Sequence, residues 1–434
     1  MADPDTPETS GDAGGTARRA SLSPALVGVL LTVFLDLLSF GLFIPDLQLR
    51  GEQLAAKQLG VPAAQASAND SVGWMVGLLI AGFSLAQLFS SPILGRLSDR
   101  IGRRPVLLAT CALSVVSYAM YANADVFWLS LGSRVLAGIA AANLGVAFAY
   151  VADVTAPTER AKGLGLVGAA LGLGFIFGPV LGGQLIRIGN DSPALLGYVG
   201  AFLALINFLY IQFGLKESIT PGQTASRPSF FAELRIAFTT PRLVLLLGMT
   251  FAFNFGFAML QATFFRLIAD ERSVFHLPDA EAKTIGSYVL GLVGICGAIV
   301  QGVILPRIQS RYGEVNLVRL GMLMLVPGLL LVPFSPLWLP MILVVALQGF
   351  GSGLAQPNLS SLVSRFAPRE LQGGIFGVTQ ALGATARLLA PLLANPLFSR
   401  NPTYPYVLAA AIVLFPAVAA WALRPIPAAE PAVG

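Results

Sequence analysis

Charge is scarce in this chain: Lys, Arg, Asp and Glu together make up 11% of its 434 residues, where a soluble domain carries about 25%. Cysteine is limited to Cys111 and Cys296, which sit far apart in apolar runs, so neither a disulfide framework nor a metal-ligand spacing is available. The single histidine, His276, has no metal-ligand neighbours in sequence. No P-loop is present, which counts against an ATP-driven pump. Enzymatic chemistry has no residues to carry it, and no cofactor or metal is expected.

What is abundant is apolar. Hydrophobic residues reach 55% and mean hydropathy is +0.75, a balance that places most of the chain in lipid. The 46 Gly and 29 Pro fall mostly inside long apolar stretches, where membrane helices tolerate both. Residues 1–24 differ, being rich in acidic, Gly, Ser and Thr residues with almost nothing to bury, and they read as a disordered cytoplasmic tail. The run from Ala25 to Leu47 is long enough to span and lacks a clear cleavage site, which argues against a removed signal. The net charge of +5 is dispersed over short loops rather than gathered into a patch, so nucleic acid is not an expected partner.

A membrane-spanning helix needs about 20 apolar residues. Such stretches occur at roughly 25–47, 73–95, 105–123, 126–150, 162–186 and 194–215, and again at roughly 243–268, 284–306, 316–334, 336–363, 371–398 and 404–423. The expected fold is an all-α membrane protein with twelve transmembrane helices in two pseudo-symmetric six-helix bundles. The bundles cover 25–215 and 243–423, joined by a cytoplasmic linker at 216–242 and followed by a cytoplasmic tail at 424–434. With the amino terminus in the cytoplasm, 18 of the 27 Lys and Arg residues lie in the tail and cytoplasmic loops, 6 lie outside and 3 are embedded. The positive-inside rule therefore puts both termini in the cytoplasm.

The halves are also related in sequence. Residues 95–102, GRLSDRIG, match 306–313, PRIQSRYG, and Ala156-Pro157-Thr158-Glu159 matches Ala367-Pro368-Arg369-Glu370; both pairs have an offset of 211. A constant offset over two separate loops implies a duplication, with parallel halves and a solute site between them near mid-membrane.

The loop from Gly95 to Pro105 closely resembles the signature loop of the major facilitator superfamily, and the degenerate copy at 306–313 stands where that family has its second copy. Gly95 permits close approach of helices, Asp99 can face a neighbouring helix end or an arginine, and the basic run of Arg100, Arg103 and Arg104 around Gly102 anchors the loop on the cytoplasmic face. The resemblance implies a conformational latch; a purely topogenic basic loop is the alternative, though topogenesis would not require Asp99. In the fourth span, Arg134-Val135-Leu136-Ala137-Gly138 resembles the superfamily's embedded-arginine motif, with Asp153 at the cytoplasmic end. The run from Gly172 to Gly183, GLGFIFGPVLGG, resembles the antiporter motif shared by drug exporters. Its glycines, among them Gly172, Gly178, Gly182 and Gly183, let helices pack closely, and Pro179 removes an amide so the helix can bend.

In the first span, the run from Leu35 to Pro45 resembles the opening helix of tetracycline and multidrug proton antiporters, and likeness to tetracycline-type exporters extends over nearly the whole chain. Asp36 falls near the middle of that span, where an ionised carboxylate costs about 2.5–3.5 kcal/mol. Desolvation raises a carboxylate's proton affinity and a nearby cation lowers it, so a carboxylate opening alternately to two sides can load and release a proton. Asp36, with Arg134, is the candidate for proton coupling, and Asp36 also for recognition of a cationic substrate; a structural Asp36–Arg134 ion pair is the alternative. The third span holds no carboxylate, unlike the closest tetracycline exporters, and no acidic residue sits deep in the second half, which leaves the substrate open.

Polar groups in lipid are costly unless paired, so those within spans should face inward. Asn143, Asn254, Gln261, Gln356 and Gln380, with Phe40, are candidate substrate contacts, interhelical hydrogen bonding being the alternative for each. Arg387 lies seven residues after Gln380, on roughly the same helix face, and is a further candidate, snorkelling to the interface being the equal alternative; a cationic centre there would favour anionic or zwitterionic substrates. Arg266, near the outer end of the seventh span, is expected to snorkel to the interface. The sequence thus points to a multi-pass, monomeric carrier in the cell membrane. Its partners are a small solute, protons and the lipid bilayer, and it exports amphiphilic compounds or drugs in exchange for protons. An uptake carrier or facilitator for an organic anion or metabolite is the alternative.

Overall fold

The computed structural model describes residues 24–155, 160–218, 238–335, 339–367 and 372–422, and among them every regular element is a helix. The expected tails at 1–24 (save Pro24) and 424–434, most of the linker at 216–242, the Ala156 to Glu159 loop and the stretch from Pro368 to Glu370 lie outside the described residues. The amino-terminal half comprises α1 (Pro24–Leu59), α2 (Asp70–Ile101), α3 (Arg103–Ala122), α4 (Phe127–Val154), α5 (Arg160–Ile188) and α6 (Pro193–Gly214). The carboxy-terminal half comprises α7 (Pro241–Ala269), α8 (Asp279–Tyr312), α9 (Glu314–Phe334), α10 (Leu339–Phe366), α11 (Gln372–Arg400) and α12 (Tyr404–Ala419). Ten of these are long and apolar enough to cross a membrane by length and composition, and α10 and α12 complete the set of twelve. The chain is an all-α membrane protein with duplicated halves.

The duplication is visible in the packing. In the first half α1 packs on α5, α3 on α6 and α2 on α4; in the second, α7 packs on α11, α9 on α12 and α8 on α10. The halves meet through α2 against α11 and α5 against α8, the two contacts that a pseudo-two-fold axis interchanges. Because consecutive helices alternate in direction, Pro24, the Ile101–Arg103 corner and the Tyr312–Glu314 corner share one face, here the motif face. Leu59, Asp191 and Asp270 share the other, the distal face.

One boundary departs from the sequence expectation. The first apolar run ends at about residue 47, yet the helix continues to Leu59 after an interruption at Phe43. Pro45 has no amide to donate, which breaks the hydrogen-bond ladder there. Beyond it the chain turns amphipathic, with Leu49, Leu54, Ala55 and Ala56 buried among Gln48, Arg50, Glu52 and Gln53. An apolar-run reading stops where this pattern begins. α2 then starts at Asn69, whose Oδ1 accepts from the N–H groups of Ser71 and Val72 at 2.9 and 3.2 Å.

α5 lies between α1 and α8 and meets both through small residues. Gly174, Gly178 and Gly182 form a stripe against Leu37, Gly41 and Leu42 of α1, while Gly183 approaches Ser287 of α8. Gly172 has no such neighbour and is exposed. A Cβ at position 178 would stand 2.6 Å from the Gly41 Cα, so the helices would have to separate. Gly178→Ala should therefore lower the melting temperature in detergent by the equivalent of about 1–3 kcal/mol, the usual cost of overpacking; an unchanged melting curve would refute the close-packing reading.

Candidate functional site

Asp36 projects into the amino-terminal bundle from α1. Its Oδ2 accepts from Asn143 Nδ2 at 2.8 Å and its Oδ1 from Asn207 Nδ2 at 3.1 Å, and the Asn143 amide also reaches Thr110 Oγ1 at 3.3 Å. Cys111 and Tyr118 of α3 lie close enough to feel its charge. Asn207 is completely buried and its Oδ1 has no partner. The alternative of an Asp36–Arg134 ion pair is not realised: among the described residues Asp36 has amide partners and no cation. Arg134 turns the other way, its guanidinium 4.9 Å from the Phe83 ring centroid and 5.7 Å from that of Phe40.

Between the halves is a cavity lined by Phe40, Ile44, Leu47, Gln48, Ile80, Phe83, Ser84, Arg134, Ala258, Gln261, Ala262, Arg387 and Pro391. Of the residues expected to touch substrate, Phe40, Gln261 and Arg387 are in its wall. Asp36 and Asn143 are not part of the wall; Asp36 stands one turn of α1 before Phe40. Asn254 donates to the Thr250 carbonyl at 2.8 Å and approaches Gly383, as does Arg387; the missing side chain there leaves room for both. Gln356 and Gln380 are exposed, the latter on the Arg387 face of α11.

At the distal face the halves are stitched together by buried charge. Lys283 of α8 is 1% exposed and donates to Asp46 Oδ1 at 2.9 Å and Asp191 Oδ1 at 2.6 Å; Tyr121 donates to the other Asp46 oxygen at 2.8 Å. Arg266 corrects the expectation that it snorkels. It is 1% exposed, pairs with Glu52 at 2.5 Å, donates to Asn395 Oδ1 at 3.0 Å and stacks 4.6 Å from the Phe398 centroid. Gln48 joins the same seam, donating to the Gln261 carbonyl and accepting from the Phe265 N–H. Nearby, Arg272 clasps Asp270 through its backbone and guanidinium N–H groups. Burial alone would raise the Asp270 carboxyl, but these hydrogen bonds prevail and hold it below its ordinary value. A depressed folded-state carboxyl contributes stability at neutral pH that is lost as pH falls through the folded value.

At the motif face, Arg103 is the hub. It pairs with Asp99 at 2.5 Å, donates to Ser98 Oγ at 2.6 Å and reaches Asp153 at 3.3 Å. Arg104 donates to the Ile211 and Gln212 carbonyls, and Arg100 is exposed. Glu217, unremarked in sequence because it sits in the polar connection, caps α3: its carboxylate accepts from the N–H groups of Arg103 and Arg104 at 2.8 and 3.1 Å. Gly102 stands at φ 106° with that carboxylate where a Cβ would be, so glycine is required twice over. Glu217→Ala should cost about 0.5–2 kcal/mol, the value of a lost N-cap, read as a lower melting temperature, with Glu217→Asp less affected. The second copy keeps the glycine but exchanges the charges. Gly313 has φ 72°, and 211 positions after Arg103 stands Glu314, which pairs with Arg365 of α10 at 3.2 Å.

The residues that sequence reasoning overlooked are Asn207, Thr110, Asp46, Glu52, Lys283 and Glu217. Asn207 had a signal, as the one asparagine in its apolar run; Asp46, Glu52 and Lys283 had none beyond sitting at span ends. Among the described residues no group of His, Cys, Asp and Glu could hold a metal.

Comparison with known proteins adds to this geometry. A family model described as Major Facilitator Superfamily matches residues 29–391 and 307–433. The chain is similar to mouse (Mus musculus) major facilitator superfamily domain-containing protein 10, 28% identical over 461 residues with 96% of this chain and 97% of the relative covered. It is also similar to the class C tetracycline resistance protein of Escherichia coli, 30% identical over 385 residues, covering 87% and 90%. Among solved structures, that of the human organic anion transporter MFSD10 (TETRAN) aligns with a TM-score of 0.67 at 27% identity, covering 92% of this chain and 99% of that one. The nucleoside transporter NupG aligns with a TM-score of 0.67 at 13% identity, covering 92% and 98%, which speaks to the fold alone.

Proposed function

The chain belongs to the Major Facilitator Superfamily, and from that premise we propose that it is a secondary active transporter exporting amphiphilic small molecules in exchange for protons. It is a membrane transporter rather than an enzyme; proton coupling, direction and substrate are the proposal. The observation that carries it is Asp36, a carboxylate inside a membrane bundle held by two neutral amides rather than by a cation. A carboxylate locked to arginine must break an ion pair to take up a proton, whereas one held by amides need not. The amide geometry stays serviceable in both charge states, because an asparagine can present either its N–H groups or its oxygen.

In this reading Asp36 is the proton carrier and Asn143 and Asn207 are positioning residues. Phe40 links the proton site to the cavity, since it follows Asp36 by one turn and forms part of the cavity wall. The motif face is the cytoplasmic one, by the excess of basic residues there, with both termini on that side and a single chain as the working unit in the cell membrane. The conformation with a sealed distal face then loads solute from the cytoplasm, and the seal opens for release. Tetracycline resistance proteins among the relatives support export as the direction.

The test is a panel of amphiphilic solutes in proteoliposomes, with and without an imposed pH gradient. Solute flux opposite in direction to the proton flow, collapsing with a protonophore, is expected. Flux indifferent to the gradient would remove the coupling, and flux running with the protons would favour the uptake carrier instead.

A further inference from the structure

Among the described residues, three of the four buried cations are paired; the fourth, Arg134, and the half-buried Arg387 are not. Arg103 has Asp99 and Asp153, Arg266 has Glu52, and Lys283 has Asp46 and Asp191. Arg134 and Arg387 have none: among the described residues no ion pair or hydrogen bond reaches either guanidinium, although Arg134 is only 3% exposed and its Nε is buried without an acceptor. Both lie in the wall of the same cavity, one from each half, and no carboxylate shares that wall. A third donor, Gln261 Nε2, is also in the wall and also buried without a partner. Apart from the neutral polar groups of Gln48 and Ser84, the rest of the lining is apolar or aromatic, notably Phe40 and Phe83, whose centroids are 4.8 Å apart.

An isolated buried charge is costly, and a donor left unsatisfied adds to that cost. Stacking on Phe40 and Phe83 offsets part of it for Arg134. The remainder is an unmet demand for an anionic acceptor: the side-chain oxygens in the wall are the neutral ones of Gln48, Ser84 and Gln261. We propose that the transported molecule is an aromatic or alicyclic organic anion with one acidic group, which sits between Arg134 and Arg387 and is touched by Gln261, while its ring lies on Phe40 and Phe83. Arginine suits a carboxylate or sulfonate because its planar fork donates two parallel hydrogen bonds. With one cation on each half, an anion draws the halves together around itself, giving the differential affinity between conformations that alternating access requires. This assignment rests on reading the cavity as the transport path, and it names the cargo that the export reading leaves open.

Three probes sharing one ring system separate the possibilities: a naphthalene carboxylate, its neutral primary amide and the corresponding aminomethyl cation. Binding to the purified full chain, followed by tryptophan fluorescence or calorimetry, should favour the carboxylate over the amide by about tenfold or more, the amine being weakest. Arg387→Gln and Arg134→Gln should each abolish that preference, and Arg387→Lys should restore part of it, which distinguishes lost charge from lost folding. Equal binding of carboxylate and amide, stronger binding of the amine, binding of none of the three, or an undiminished preference in both Gln variants would overturn the assignment. Flux of the same probes under a pH gradient tests the export reading separately. Gradient-driven export of the amine would leave export standing and the anion site refuted, whereas Arg-dependent carboxylate binding without gradient-driven flux would do the reverse.

Discussion

Asp36→Asn protein reconstituted in liposomes should show no export driven by a pH gradient, while folding, inserting and binding solute as the parent does. Asparagine is close in size and shape and can still engage Asn143 and Asn207, whose partners are the two Asp36 oxygens at 2.8 and 3.1 Å, so the bundle has no reason to unfold. What it lacks is a proton to exchange. Exchange of solute for solute, which needs no net proton movement, should persist. The effect on gradient-driven flux should be at least the 10²-fold lower bound typical of removing a group that handles a proton. Retention of full gradient-driven export would assign the proton elsewhere, and loss of exchange as well would mean that the residue serves the conformational change instead.

Lys283→Met is the second substitution with a large expected effect, and it acts on the other end of the molecule. Lys283 is the cation shared by Asp46 of α1 and Asp191 of the α5–α6 loop. Removing it leaves Asp46 2% exposed in side chain with, among the described residues, only the Tyr121 hydroxyl as a partner. Breaking a buried pair by removing one member costs about 3–5 kcal/mol, a cost that falls on the closed distal face because the contact joins the halves there. A shift of that size changes a two-state population by roughly 10² or more. Spin labels placed at Lys57 and Glu281 should therefore report a longer distance across the distal face than in the parent, and Lys283→Arg should keep the parent distance. Identical distances in the Met variant would mean that the pair is structural ornament rather than the seal.

The fold was legible because lipid imposes a coarse demand: a run of about twenty apolar residues is hard to mistake. Charged loops at a constant offset exposed the duplication, which the packing of α2 on α11 and α5 on α8 reflects. Asp36 and Arg134 stood out for the same reason, since ionisable groups in spans are rare. Their partners did not. Whether Asp36 meets Arg134 or Asn207 depends on how α1, α4 and α6 are rotated about their axes, and hydropathy without a strong polar stripe does not fix that angle. Arg266 was misread because its partner Glu52 lies in a stretch that composition assigns to a loop, although it is the amphipathic continuation of α1. Glu217 was hidden for a related cause: its role is defined by backbone amides 113 and 114 positions away, which no residue-type pattern records.

The interruption of α1 at Phe43 divides that helix into two working lengths. Asp36 is on the near side and Asp46 on the far side, ten positions apart, or about 15 Å at the α-helical rise. A single rod thus carries both the acid and one end of the distal clasp, and the discontinuity sits where Gly41 touches Gly178 and Pro179 of α5. Torque applied at one acid reaches the other only as far as this elbow transmits it. The degree of ratcheting between proton uptake and outward release is then set by the stiffness of three or four residues, and a chain with Pro45 replaced by alanine, which restores the missing rung, would be the more rigid crankshaft.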